Sequence, residues 1–153
     1  MAGTILVAYA TKHGSTAEVA EAVAAVLREH GCDVDVRKAS DVRHLAGVER
    51  VILGAPLYSG RWHRHAHHFL ARNKAALETL PVAVFALGPR SPEEEGGWPR
   101  CRAQLDRALA KVSWLAPVAV GLFGGVDPPK KGRQPRDQRD WQAIRAWAAG
   151  LAD

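Results

Sequence analysis

The sequence predicts an α/β protein: a doubly wound, five-stranded parallel sheet in the order 2-1-3-4-5, built as one domain over residues 1–153. Three observations predict it. Short, wholly apolar runs recur at Ile5 to Ala10, Val51 to Leu53 and Val82 to Leu87, the mark of strands covered on both faces. Between them lie helix-length stretches whose apolar residues fall three and four apart. The runs end in clusters of glycine, proline or hydroxyl residues, which turn the chain.

The elements follow in order. Ile5 to Ala10 is the first strand. Ser15, with Glu18 three places on, fits a capping box and opens a helix with Val19, Val23, Val26 and Leu27 inward, closed by His30-Gly31. Asp33 to Arg37 alternates, as an edge strand with one wet face does. Asp41 to Leu45 is a short turn or helix. Arg50 to Ala55 is apolar enough to be central, and Pro56 to Arg61 is the loop that follows. From Trp62 to Glu78, Ala66, Phe69, Leu70 and Leu77 recur at helical spacing, with Asn73 the imperfect member. Val82 to Leu87 is the fourth strand, and Gly88 to Gly97 a loop containing Glu93-Glu94-Glu95. Cys101, Leu105, Ala108, Leu109 and Val112 form a helical stripe. Pro117 to Phe123 is the fifth strand. A Pro-rich, basic connector leads to a last helix, Asp140 to Leu151, with Trp141, Ile144, Trp147, Ala148 and Leu151 inward.

The turn after the first strand carries the chemistry. Thr11-Lys12-His13-Gly14-Ser15-Thr16 packs three hydroxyls and one glycine between a buried strand and a helix start. The first N–H groups of a helix lack internal partners and sit at the positive end of its dipole, so a phosphate is expected there. Thr11, Ser15 and Thr16 would add hydroxyl contacts, and Gly14 would permit a positive φ and close approach. The plainer reading of the same residues is a strand–helix turn with polar caps. Neither a Walker-type G-x-x-x-x-G-K-[ST] nor a dinucleotide-binding G-x-G-x-x-G is present.

Residues 11–16 resemble the FMN phosphate loop of flavodoxins, T-x-T-G-x-T in outline, matching at Thr11, Gly14 and Thr16. His13 stands where a hydroxyl is usual and Ser15 where Asn is common, while Lys12 and His13 bring charge to a usually uncharged loop. The element order extends the resemblance over the whole chain. It is closest to the flavodoxin-domain group that includes menaquinone-linked protoporphyrinogen oxidases, in which a similar short loop carries a basic residue near the position of Lys12. The resemblance implies FMN as cofactor. Its phosphate would lie on Thr11, Lys12, His13, Gly14, Ser15 and Thr16. Its ring would be clasped by a second loop, Pro56, Leu57, Tyr58, Ser59 and Gly60, and a third, Leu87, Gly88 and Pro89, with Trp98 as the second aromatic. Tyr58 falls where the first aromatic would be. The third loop departs most from the pattern in its length and glutamate run.

Four of the seven histidines lie in Arg61-Trp62-His63-Arg64-His65-Ala66-His67-His68. His63 and His67 have the spacing of a shared metal, but no acidic or cysteine ligand accompanies them, so no metal is expected. A solvated basic face is the bland reading. The chemical one is that Arg61, Arg64 and His63 dock an anionic substrate or partner, since arginine pairs carboxylates bidentately. Porphyrinogen propionates are such carboxylates. The connector Lys130 to Arg139 holds five basic residues and one acid. It is either a solvated loop or a peripheral contact with anionic lipid, which quinone use would make sensible.

Composition bounds the remaining classes. An apolar share of 47% supports a real core, and a formal charge of +5 points to an anionic partner. That charge is a departure, because flavodoxins that act as carriers are typically acidic. Two distant cysteines in no C-x-x-C suggest a reducing compartment and no thiol or zinc chemistry. The first strand begins within a few residues, and no run approaches the length of a membrane span. The expectation is a cytoplasmic protein, with membrane association at most peripheral. Aromatic residues are too sparse around the basic stretches to suit single-stranded nucleic acid. Nothing is spaced as a hydrolytic triad, and Ala10 and Ala55-Pro56 do not supply the acids of a phosphorylation receiver. Together with these bounds, the resemblance implies an FMN-binding, flavodoxin-like oxidoreductase or electron-transfer protein, with a protoporphyrinogen-like anion as the substrate it would suit. The alternative is a flavin-free module of the same fold that binds an acidic partner through its basic surface.

Overall fold

The computed structural model describes residues 3–11, 14–58, 61–88, 97–126 and 137–152. Lys12, His13, Ser59, Gly60, Pro89, the Glu93 to Glu95 run and most of the basic connector lie outside these residues.

The elements run β1 (Thr4–Tyr9), α1 (Ser15–Glu29), β2 (Val34–Lys38), a 3-10 turn (Ala39–Asp41), β3 (Val48–Tyr58), β4 (Arg61–Trp62), α2 (Arg64–Arg72), α3 (Lys74–Leu77), β5 (Val82–Leu87), α4 (Gly97–Ala110), β6 (Ala119–Phe123) and α5 (Trp141–Leu151). The sheet order is β2-β1-β3-β5-β6, with every pair along it parallel. This is the predicted 2-1-3-4-5 topology once the two-residue β4, which pairs antiparallel with the end of β3, is set aside.

Strand side chains alternate between two cores, which is why the central strands read as unbroken apolar runs. Ile5, Val7, Ile52, Ala83, Phe85 and Leu87 pack with Val19, Val23 and Leu27 of α1 and with Ile144 and Ala148 of α5. Leu6, Ala8, Leu53, Ala55, Val84 and Ala86 pack on the other face with Phe69 and Leu70 of α2, Leu77 of α3, and Leu105 and Ala108 of α4. Gly54 falls on the first face beside Phe85, and a Cβ there would overlap the Phe85 ring. Its lack of a side chain makes room for the Phe85–Phe123–Trp147 aromatic cluster.

Three expectations are corrected. The loop expected at Pro56 to Arg61 is largely strand: β3 runs on to Tyr58 and turns back as β4. Proline is tolerated because the Gly54 carbonyl faces β1, accepting from Ala10 N–H, so Pro56 two residues on faces the same edge beyond the end of β1. Its carbonyl accepts from His63 N–H. The helix expected from Trp62 to Glu78 is two helices meeting at Asn73. There the buried side-chain amide donates to the Phe69 carbonyl at 2.9 Å, sharing it with the Asn73 backbone N–H at 3.1 Å. The capping box does not form either: Gly14 is the N-cap residue, Ser15 is already helical, and no side chain caps the end.

Candidate functional site

The carboxyl ends of β1, β3 and β5 bring three segments to one end of the sheet, where open α/β sheets bind ligands. The first is the turn into α1. Gly14 takes φ 88°, a left-handed conformation that suits glycine, and its N–H donates to Thr11 Oγ1 at 2.8 Å. The first bond of the helix runs from Glu18 N–H to the Gly14 carbonyl at 3.3 Å. The N–H groups of Ser15, Thr16 and Ala17 therefore precede any intrahelical partner. Thr16 is fully buried, and its Oγ1 is the buried side-chain oxygen without a hydrogen-bond partner among the described residues. The Thr11 hydroxyl accepts from Gly14 and keeps its own proton to give. Three amides, one orphaned hydroxyl and a hydroxyl proton fit the terminal phosphate of an FMN-like ligand.

The second segment is the β3–β4 hairpin. Leu57 and Trp62 are paired and both buried, and Trp62 Nε1 donates to the Ala55 carbonyl at 3.0 Å. This anchor holds Tyr58, half-buried at the end of β3, with its ring 6.5 Å from that of His63. His63 Nδ1 accepts from His65 N–H at 3.1 Å as the N-cap of α2, which places the proton of a neutral ring on Nε2. Arg61 and Arg64 are exposed and make no ion pair among the described residues. His67 packs edge-on against Trp62, and burial, with Lys111 and then His68 nearby, lowers its pKa below the ordinary histidine value. No group of three or more His, Cys, Asp or Glu side chains suited to a metal ion occurs among the described residues.

The third segment follows β5. Leu87 and Gly88 are buried, and Gly88 N–H donates to the Phe123 carbonyl at 2.7 Å. Gly88 takes φ 151°, and a Cβ there would lie 3.2 Å from Cys101 Sγ and 3.7 Å from Leu57 Cδ1. The third segment is thereby packed against the second. Trp98, in the first turn of α4, is 47% exposed.

One residue was overlooked in the sequence, where it reads as part of the connector. Arg139 lies against the first turn of α1, with its side chain only 9% exposed. It grips Asp137 with a two-pronged contact (Nε–Oδ1 2.9 Å, Nη2–Oδ2 2.7 Å), and its Nη1 reaches Glu18 Oε1 at 3.1 Å and the Ser15 carbonyl at 3.3 Å. Its guanidinium stacks over Trp141 at 4.7 Å. No spacing rule joins residues 121 apart, so no local signal could have found the contact with Glu18.

A model of the flavodoxin domain matches residues 6–133. The chain belongs to the flavodoxin domain family. Among curated proteins it is similar to the protoporphyrinogen IX dehydrogenase [quinone] of Escherichia coli K12, at 22% identity over 82% of this chain and 70% of that protein. It is also similar to the protein of that name in Leishmania major, at 25% identity over 78% of this chain and 53% of that one. Among solved structures, flavodoxin 1 of Bacillus cereus superposes with TM-score 0.66 at 18% identity, covering 95% of both chains. A flavodoxin of Streptococcus pneumonia TIGR4 does so with TM-score 0.66 at 21% identity, covering 97% of both. The structural likeness establishes the fold. Family membership and the curated relatives together support flavin-type electron transfer. Among the described residues no helix is long and apolar enough to cross a membrane.

Proposed function

We propose that the protein is an FMN-dependent oxidoreductase that takes electrons from an anionic, protoporphyrinogen-like substrate and passes them to a quinone or a redox partner. The observation that carries this is the buried, unpartnered hydroxyl of Thr16 beside the free amides of the α1 turn. An unmade buried hydrogen bond costs about 1–3 kcal/mol. A phosphate oxygen seated at the turn would relieve that cost, which an ordinary capped turn would not incur.

FMN, when bound, supplies the electron-accepting ring; the chain binds, orients and shields it. Thr11, Gly14, Ser15 and Thr16 hold the phosphate in this reading, with Lys12 and His13 adding charge. Tyr58 flanks the ring from the hairpin, an aromatic contact contributing about 0.5–1.5 kcal/mol beyond burial. Pro56, Leu57, Ser59 and Gly60 shape that side of the pocket; Leu87, Gly88, Pro89 and Trp98 shape the other. Arg61 and Arg64, unpaired within the described residues, are available to substrate carboxylates, with His63 beside Tyr58 at the rim. The quinone acceptor is suggested by the likeness to the quinone-linked relatives; the charge of the basic connector would suit a peripheral contact with anionic lipid.

The test is the absorption spectrum of the purified protein before and after adding FMN. Yellow protein, or quenching of FMN fluorescence on titration, is expected. A colourless preparation that leaves FMN fluorescence unchanged overturns the reading and favours the flavin-free module. For flavin-loaded protein, bleaching by a reduced porphyrinogen, with reoxidation by a quinone, tests the substrate class.

A further inference from the structure

Arg139 belongs to no loop that the family resemblance assigns to the flavin. It is nevertheless built into the phosphate turn from the far end of the chain. Gln138 N–H donates to the Gly125 carbonyl and Val126 pairs with Asp137, so the segment entering α5 is tied to the end of β6. From there the Arg139 side chain lies along the first turn of α1, fixed between Asp137 and the face of Trp141. Two of its contacts bear on anion binding. One is the Ser15 carbonyl, in the helical turn whose amides face the ligand. The other is Glu18, a carboxylate in that same first turn.

An acid in the first turn suits a helix left empty, because it complements the dipole; a phosphate needs the same positive end. A carboxylate close to the site then competes with the ligand, unless something neutralises it. We infer that Arg139 is a positioning residue for the flavin phosphate: it neutralises Glu18 and fixes the Ser15 carbonyl, leaving the amide end of α1 to the ligand. The inference rests on the FMN reading above. Counting formal charges, Arg139 brings the group it forms with Asp137 and Glu18 to −1; without it the two carboxylates stand at −2 beside a dianionic phosphate.

The experiment is flavin titration of the apoprotein, followed by fluorescence quenching, with FMN and with riboflavin, which lacks the phosphate. Arg139→Gln should weaken FMN about tenfold, the upper part of the range for a charge at a helix end, and leave riboflavin affinity unchanged. Adding Glu18→Gln to Arg139→Gln should restore most of the loss. Should Arg139→Gln fail to fold, as judged by its thermal melt, Arg139→Lys and Glu18→Gln decide. The lysine keeps the charge without the two-pronged grip and should lose about threefold for FMN alone. Glu18→Gln in the wild-type background should tighten FMN. Equal losses for FMN and riboflavin, no loss at all, or no rescue by Glu18→Gln would overturn the inference while leaving the flavin reading intact. Wild-type protein that binds neither flavin removes the reading itself and this inference with it.

Discussion

The turn into α1 and the β3–β4 hairpin lie at the same end of the sheet, and they are suited to anions in opposite ways. The turn relies on backbone: free amides, a left-handed glycine and one orphaned hydroxyl, with its nearby arginine already committed to two carboxylates. The hairpin relies on side chains: Arg61 and Arg64 stand exposed and unpaired among the described residues, on a platform pinned by a buried tryptophan. Backbone amides are directional and fixed, so the first arrangement suits a resident group held in one pose. Exposed, hydrated cations suit a ligand that arrives and leaves. If the proposed function holds, this difference would separate cofactor from substrate more sharply than the overall basic charge does.

The largest effect expected from breaking this contrast is on the platform. Trp62→Ala removes a fully buried ring and the partner of the Ala55 carbonyl, and should cost about 3–5 kcal/mol of stability in denaturant melts. A cost below about 1 kcal/mol would mean that the hairpin is not anchored as described. Thr16→Val should act on the turn with opposite signs in two assays. The flavin-free protein should gain about 1 kcal/mol, because a buried unsatisfied hydroxyl is replaced by a methyl, while FMN binding weakens about tenfold. Loss of both stability and affinity would show that the hydroxyl has a partner of its own. Arg61→Gln with Arg64→Gln should raise KM for a carboxylated substrate roughly three- to tenfold, the scale of exposed charge pairs, with FMN affinity unchanged. An equal loss of FMN affinity would erase the distinction between the two regions.

The smallest effect concerns pH. His67 has a folded-state pKa below its unfolded value, chiefly through burial against the platform. The unfolded chain then binds more protons as pH falls, so the stability His67 contributes is present above about pH 6.5 and is lost as pH drops through the folded-state pKa. Between pH 7.5 and 5.5 the wild type should lose slightly more of its melting temperature than His67→Gln, by about 2 °C or less. Asp137, lowered first by its hydrogen bond to Arg139, contributes stability that is lost only in the acid range below the ordinary aspartate value. The two windows are therefore separable in one pH series.

Much of this was legible in the residues. Ile5 to Ala10 and Val82 to Leu87 read as central strands because burial on both faces removes any need for polar alternation. Gly14 and Thr16 stood out because a strand–helix turn dense in hydroxyls has few uses. Pro56 misled, because proline signals a break only where its missing N–H would face a neighbouring strand, and here β1 has already ended. Ser15 and Glu18 had the spacing of a capping box, but the backbone at Gly14 turned left-handed, and Glu18 pairs with Arg139 instead.

By itself, the sequence determined the layered sheet and the position of the glycine turn that opens α1, since both follow from patterns among neighbours along the chain: apolar period, helix start, glycine placement. Only the tertiary structure decided that Trp62 faces the core and that Arg139 lies over α1. Those choices depend on which distant segments share a sheet end, and packing settles that where local spacing says nothing.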